Sequence, residues 1–183
     1  MTESRAETRL MNKAVHYLGR YTASRQRLRE VLGRFATRKL EHFPPIEVRD
    51  AIEVVIEKCA AYGYVDDAQF AMTQARSQRR QGRSAIGIKQ KLRVHRLDPD
   101  LVDQALEEAD QGVSDGDLMA ALNYARRRRL GPFKTRLHDD PKTDQRHLAS
   151  LARAGFAMAI CTKIIGLADP VEAEDLADSL RDL

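Results

Sequence analysis

Tryptophan is absent from this chain of 183 residues, and phenylalanine and tyrosine supply only five residues each. With so few aromatic rings, apolar packing has to come from Leu, Ile, Val and Ala. Cysteine occurs twice, at Cys59 and Cys161, in neither CxxC spacing nor a dense framework. A disulfide scaffold is thereby excluded, and two buried, reduced thiols in a cytoplasmic protein are expected. No window approaches 18 uninterrupted apolar residues, so no membrane-spanning helix is expected. The opening MTESRAETRLMNK has no apolar h-region, so no secretory signal is expected either. GxGxxG, GxxxxGK[ST] and GxSxG do not occur, which leaves nucleotide binding and serine hydrolysis without support. The histidines, His16, His42, His95, His138 and His147, lack HExxH-type spacing, and His138-Asp139-Asp140 reads as a loop cluster rather than a metal site. The expectation is no enzyme, no metal and no cofactor.

What the chain does have is helical spacing throughout. Leu28, Val31, Leu32 and Phe35 follow the i, i+3, i+4, i+7 rule, as do Ile52, Val55, Ile56 and Cys59, and Leu118, Ala121, Leu122 and Ala125. No stretch alternates polar and apolar residues over a strand's length, so the fold class is all-α. Start signals are read at Ser4 with Glu7, at Thr22–Ser24, Pro45, Asp66 with Gln69, Ser84, Asp98-Pro99, Ser114 with Asp117, Asp140-Pro141, and Asp169-Pro170 with Glu172. At the junction 63–70, Gly63 suits the left-handed stop of one helix, and Asp66 caps the next. Val65 and Phe70 take the two positions of a hydrophobic staple. Asp66-Asp67 is read as structural, because adjacent helical residues point about 100° apart.

Grouped in threes, these helices suggest a repeat. Ser24 is followed at offsets of four and eight by Leu28 and Leu32, Ser84 by Ile88 and Leu92, and Asp144, more weakly, by Leu148 and Ala152. Three tandem three-helix modules follow: 1–64 with an N-terminal helix, 65–111, and 112–183 with an acidic tail helix. Units this small bury too little surface alone and share a core when stacked, which implies an elongated, curved, repeat-like protein.

The net charge of +4 conceals a segregated pattern. Arg76, Arg79, Arg80, Arg83, Lys89, Lys91, Arg93 and Arg96 lie in a stretch without an acid, 76–97, and the stretch 98–117 has eight acids and no cation. Arg126, Arg127, Arg128 and Arg129 follow as a quartet, and the last fifteen residues are acidic again. Such charges can be solvated faces, with basic and acidic helices pairing inside a module. They can equally be a surface for phosphates or an acidic protein, for which Arg suits bidentate contacts better than Lys.

The segment Gly63-Tyr64-Val65-Asp66-Asp67, continuing through Phe70-Ala71 to the Arg-rich stretch, Gly82 and Ile88…Leu92, resembles the RecX regulatory proteins of bacteria. Ala14-Val15-His16-Tyr17-Leu18 with Ser24 and Leu28, and Leu151-Ala152-Arg153-Ala154-Gly155-Phe156 with Ile160 and Ile164, extend the likeness over about residues 10 to 167. Three places depart from the family pattern. His95-Arg96-Leu97 stands where Lys-Gly-aliphatic is usual, so that helix is expected to end at Asp98-Pro99 without glycine. Arg27 stands where an acid is common, and the loop 131–143 is long. The resemblance implies a non-catalytic modulator of the RecA recombinase. It would dock as a monomer in the groove of the RecA–DNA filament and hinder ATP hydrolysis, strand exchange and co-protease activity, with non-specific contact to single- or double-stranded DNA. On that basis the twelve cations named above are the candidate partner surface. Gly63, Tyr64, Asp66, Asp67 and Phe70 would hold a module junction. A sequence-independent DNA-binding protein acting without a recombinase is the alternative.

Overall fold

The computed structural model describes residues 4–135 and 141–181. Ten α-helices and no strand occur among them: α1 (Arg5–Leu18), α2 (Arg25–Lys39), α3 (Pro45–Ala61), α4 (Asp67–Arg80), α5 (Ala85–Leu92), α6 (Pro99–Ala109), α7 (Gly116–Arg128), α8 (Pro141–Arg153), α9 (Met158–Ile165) and α10 (Pro170–Ser179). Short 3-10 turns follow α5 and α7. The helices fall into two compact units, Met1–Phe70 with His95–Leu97, and Ala71–Val94 with Asp98–Leu183.

In the first unit, α1, α2 and α3 pack around one core. Ala6, Leu10 and Ala14 of α1 meet Leu28, Leu32 and Ala36 of α2 and Val55, Ile56 and Cys59 of α3. Each set recurs every three or four residues, so one stripe of each helix is buried, and each fully buried Leu or Ile contributes about 1.5–3 kcal/mol. The outer faces of α2 and α3 are clasped by Arg25–Glu57 at 2.7 Å and by a two-pronged Arg29–Glu53 pair at 2.7 Å per bond. The sequence signals at the end of α3 are realised. Gly63 has φ +71°, Tyr64 N–H donates to the Cys59 carbonyl at 2.8 Å, and Gly63 N–H donates to that of Ala60. Asp66 then accepts from the N–H groups of Ala68 and Gln69 at 2.8 and 3.0 Å.

The second unit joins α4 to α10. Ala71 and Ala75 of α4, Ile88 and Leu92 of α5, and Val102, Ala105 and Leu106 of α6 are buried. A second apolar cluster gathers Leu118, Ala121, Leu122 and Ala125 of α7, Leu151 of α8, Cys161 and Ile164 of α9, and Ala173 and Ala177 of α10. Gly82, at φ +70°, turns the chain between α4 and α5 directly against α7, where an added Cβ would stand 2.4 Å from the Tyr124 nitrogen. Only glycine allows that approach.

One start signal moves by a residue. Asp115, not Ser114, caps α7 by accepting from Leu118 N–H at 2.9 Å, while Ser114 N–H donates to the Leu180 carbonyl. α8 begins at Pro141, so Asp144, the third repeat's counterpart of Ser24 and Ser84, lies inside the first turn and not at the cap position. Correspondingly, Leu148 and Ala152 are only partly buried, whereas Ile88 and Leu92 are fully so. The glycine-free stop after α5 is made by Arg96 itself, which takes the left-handed conformation at φ +50° ahead of the Asp98 cap. His138-Asp139-Asp140 lies outside the described residues.

Candidate functional site: a basic cleft in the second unit

Both units use the same device where one helix starts against another. In the first, Ser24 caps α2 by accepting from Arg27 N–H at 3.1 Å, and its hydroxyl lies 2.9 Å from His95 Nδ1. The next backbone N–H, that of Arg25, donates to Asp67 at 2.9 Å. In the second, Ser84 accepts from Gly87 N–H at 3.2 Å and donates to the Ala154 carbonyl at 2.7 Å, while Ala85 N–H donates to Asp117 at 2.8 Å. Ser24 and Ser84 are fully buried, and the bond from Ser84 holds the end of α8 against the start of α5. Phe70, also buried, meets the His95 ring at 4.7 Å with the two planes tilted by 58°, but Tyr64 is 55% exposed and packs no core.

The second of these junctions places α5, α7 and the end of α8 around an open cleft of about 820 Å³. Arg83 and Lys91 line it from the α5 side, Arg127 and Arg128 from α7, and Arg153 from α8, with Tyr124 at its wall. Among the described residues no carboxylate lines it. None of the five cations forms an ion pair among the described residues, and all five are exposed. Gly82 and Gly87 keep side chains out of the cleft. Five like charges on three walls repel one another and attract any polyanion of matching size.

The sequence-predicted cations divide sharply. Arg79 is buried, bonding to Asp117 and, at 2.6 Å, to Asp110, and donating to the Arg83 carbonyl at 3.2 Å. It organises the turn before α5. Lys89 pairs with Asp103 at 2.6 Å. Arg126 lies over the Phe133 ring at 5.2 Å and 3.4 Å from Glu174. Arg129 occupies the left-handed position that ends α7, at φ +56°. Arg76, Arg80 and Arg93 are exposed in the second unit and Arg96 in the first, and none of them lines the cleft. Arg83, Lys91, Arg127 and Arg128 are brought together. Sequence reasoning missed Arg153, an isolated cation in an otherwise apolar stretch, and gave no partner role to Tyr124. It also missed Asp117 as the carboxylate shared by Arg79 and Ala85.

Burial pushes the Cys59 and Cys161 thiols above their ordinary range, so both stay protonated core residues. No group of three potential metal ligands occurs among the described residues, and none of their helices is long and apolar enough to cross a membrane.

Comparison with known proteins bears on what this arrangement serves. A family model described as RecX, second three-helix domain, matches residues 66–106, which span α4 to α6. Regulatory protein RecX of Myxococcus xanthus is 38% identical over 161 residues, covering 86% of this chain and 84% of the relative. The chain belongs to the RecX family. Regulatory protein RecX of Agrobacterium fabrum is 30% identical over 165 residues, covering 90% of this chain and 85% of its own length. A third RecX, from Syntrophotalea carbinolica, is 31% identical over 113 residues, with 61% and 71% covered. These relatives are named for regulation and not for a reaction, and a regulatory role, with the family's place in DNA repair and recombination, is what the membership supports. The RecX likeness extends well beyond the matched three-helix domain, into α1–α3 or α7–α10 or both, since 161 aligned residues exceed the span 66–106.

Proposed function

We propose that the protein is a non-enzymatic negative regulator of the RecA recombinase that seats in the groove of the RecA–DNA filament. There it slows ATP hydrolysis, strand exchange and co-protease activity. It acts as a cytoplasmic monomer built of modules 1–64, 65–111 and 112–183. The observation that carries this reading is the set of five exposed cations without ion-pair partners on three walls of one cleft. A surface so charged is stabilised when an anionic partner neutralises it, and a filament of protein and nucleic acid offers one. The recurrence of the Ser24/Asp67 device as Ser84/Asp117 supports the division into tandem modules.

The test is a titration of RecA's DNA-dependent ATP hydrolysis with the purified protein and with a variant carrying Arg83→Gln, Lys91→Gln and Arg128→Gln. Wild type is expected to inhibit and the variant to inhibit about tenfold less strongly for three lost charge contacts. Undiminished ATP hydrolysis at excess wild-type protein refutes the reading. A sequence-independent DNA-binding protein is the second reading, favoured by the exposed Arg76, Arg80, Arg93 and Arg96 outside the cleft. It requires tight binding to bare DNA with a salt slope of about −0.9 per phosphate neutralised.

A further inference from the structure

The rest of the cleft's lining narrows the kind of anion it takes. Single-stranded nucleic acid is ordinarily held by aromatic faces beneath its bases as well as by cations along its backbone. Among the described residues Tyr124 is the one aromatic residue lining the cleft, and its ring is occupied. The Arg128 guanidinium lies 5.8 Å over it, the Phe156 ring meets it edge-on at 5.9 Å, and its hydroxyl is 3.3 Å from Ser150 Oγ. What flanks the cations instead is aliphatic. Ile86, beside the lining residue Gly87, is 55% exposed, and Met158, four residues after the lining residue Ala154, is 56% exposed. The two segments meet at Gly155, where an added Cβ would lie 3.8 Å from that of Ile86. Guanidinium groups match carboxylates fork to fork, and the exposed Ile86 beside the lining, with the exposed Met158 that opens the helix after it, offers an apolar seat.

We infer that the cleft receives an acidic segment of a partner protein, a stretch rich in Asp or Glu with an aliphatic side chain resting against Ile86 and Met158. The inference rests on the reading of the protein as a regulator that docks on another protein, and it names the chemistry of that contact. Charge complementarity supplies the attraction, and the aliphatic rim distinguishes the segment from a polyanion without side chains of that kind.

The experiment measures binding of the full-length protein to three labelled probes of equal charge by fluorescence polarisation near physiological salt. The probes are a Glu/Leu peptide, a Glu/Ser peptide and oligothymidylate. The Glu/Leu peptide is expected to bind about tenfold more tightly than either of the others, the advantage of burying one aliphatic side chain. Lys91→Glu with Arg153→Glu, two residues without an ion pair in the structure, should weaken both peptides by about tenfold or more while the helical circular dichroism is kept. Ile86→Ser with Met158→Ser should remove the Leu advantage and leave Glu/Ser binding unchanged. Oligothymidylate binding most tightly, equal binding of the two peptides, or peptide binding indifferent to Lys91 and Arg153 would each overturn the inference. RecA ATP hydrolysis measured alongside separates the two readings. Inhibition without Glu/Leu binding sinks the cleft assignment alone. Glu/Leu binding without inhibition sinks the RecA reading and upholds the cleft.

Discussion

The first unit's Ser24/Arg25/Asp67 junction and the second unit's Ser84/Ala85/Asp117 junction solve the same problem with different reserves. Each satisfies two orphan N–H groups at a helix start, one by the helix's own serine and one by an aspartate from a helix later in the chain. In the first unit the serine's other contact is an imidazole, His95, half-buried and tilted against the Phe70 ring. In the second it is a backbone carbonyl, and the aspartate also receives Arg79, whose side chain is only 10% exposed. The second junction therefore combines two charge pairs, a shared carboxylate and a glycine turn pressed against α7. The first relies on apolar burial and one carboxylate. Where a basic cleft must be held open against its own repulsion, the structure uses the more heavily braced version.

The sharpest break in that comparison is at the turn glycines. Gly63 and Gly82 both sit near φ +70°, but nothing lies within 4 Å of a Cβ at Gly63, whereas at Gly82 it would collide with the α7 backbone. Gly63→Ala should lose about 1 kcal/mol for the left-handed conformation alone, and Gly82→Ala about 3 kcal/mol or more. Chemical denaturation midpoints of the two variants measure this, and equal losses would contradict it. Next in size is the aspartate pair. Asp117→Ala leaves the buried Arg79 half-neutralised and Ala85 N–H without its acceptor, a loss of about 3 kcal/mol. Asp67→Ala removes one acceptor for about 1 kcal/mol, and the same unfolding assay compares them.

A smaller effect has the opposite sign. Arg96 in the first unit and Arg129 in the second both adopt positive φ, at +50° and +56°. Replacing either with glycine should raise stability by about 0.5–1 kcal/mol, read as a rise in Tm. The finest distinction is in acid. Burial pushes His147 of the second unit below its ordinary 6.5, and Lys134 and Arg146 add to this while Asp144 opposes it. Its Nδ1 accepts from Gly131 N–H at 3.1 Å, which requires the neutral ring. The unfolded chain thus takes up that proton first, and this contribution fades as pH falls below about 6.5 and through the lower folded value. In the first unit, hydrogen bonds from Arg29 and Arg27 hold Glu53 and Glu30 below their ordinary 4.5. Their small, exposed contribution is complete above 4.5 and is lost only as pH falls further. Amide exchange followed from pH 7 to about 4 should show the second unit loosening before the first. The reverse order would point to other groups.

Much of the fold was legible because it is written locally. The stripes at 28, 31 and 32 and at 52, 55, 56 and 59, the serine starts at 24 and 84, and the Gly63-to-Asp66 turn need only neighbours within one helical turn. The weakest copy, at 144, misled because α8 opens at Pro141 and Asp144 falls inside its first turn, a register that apolar spacing alone does not reveal. The cleft was half legible. Eight cations between 76 and 96 announced a basic region, yet linear density cannot say which of them meet an acid far along the chain. Arg79 finds Asp110 and Asp117, 31 and 38 residues later, and Lys89 finds Asp103. Arg153 had no periodic or charge signal, and it enters the cleft because Ser84 draws the end of α8 to α5.

The aspartates of the two junctions grip peptide nitrogens, and the side chains at those positions are as unlike as Arg25 and Ala85. Any amino acid with an N–H could stand there without changing how the helices are joined, and only proline would sever the link. The side chain at the start of α5 can therefore change in charge while its backbone bond to Asp117 stays intact. At these two positions the attachment of one helix to another is written in the backbone, and it places no demand of its own on the side chain that the helix displays.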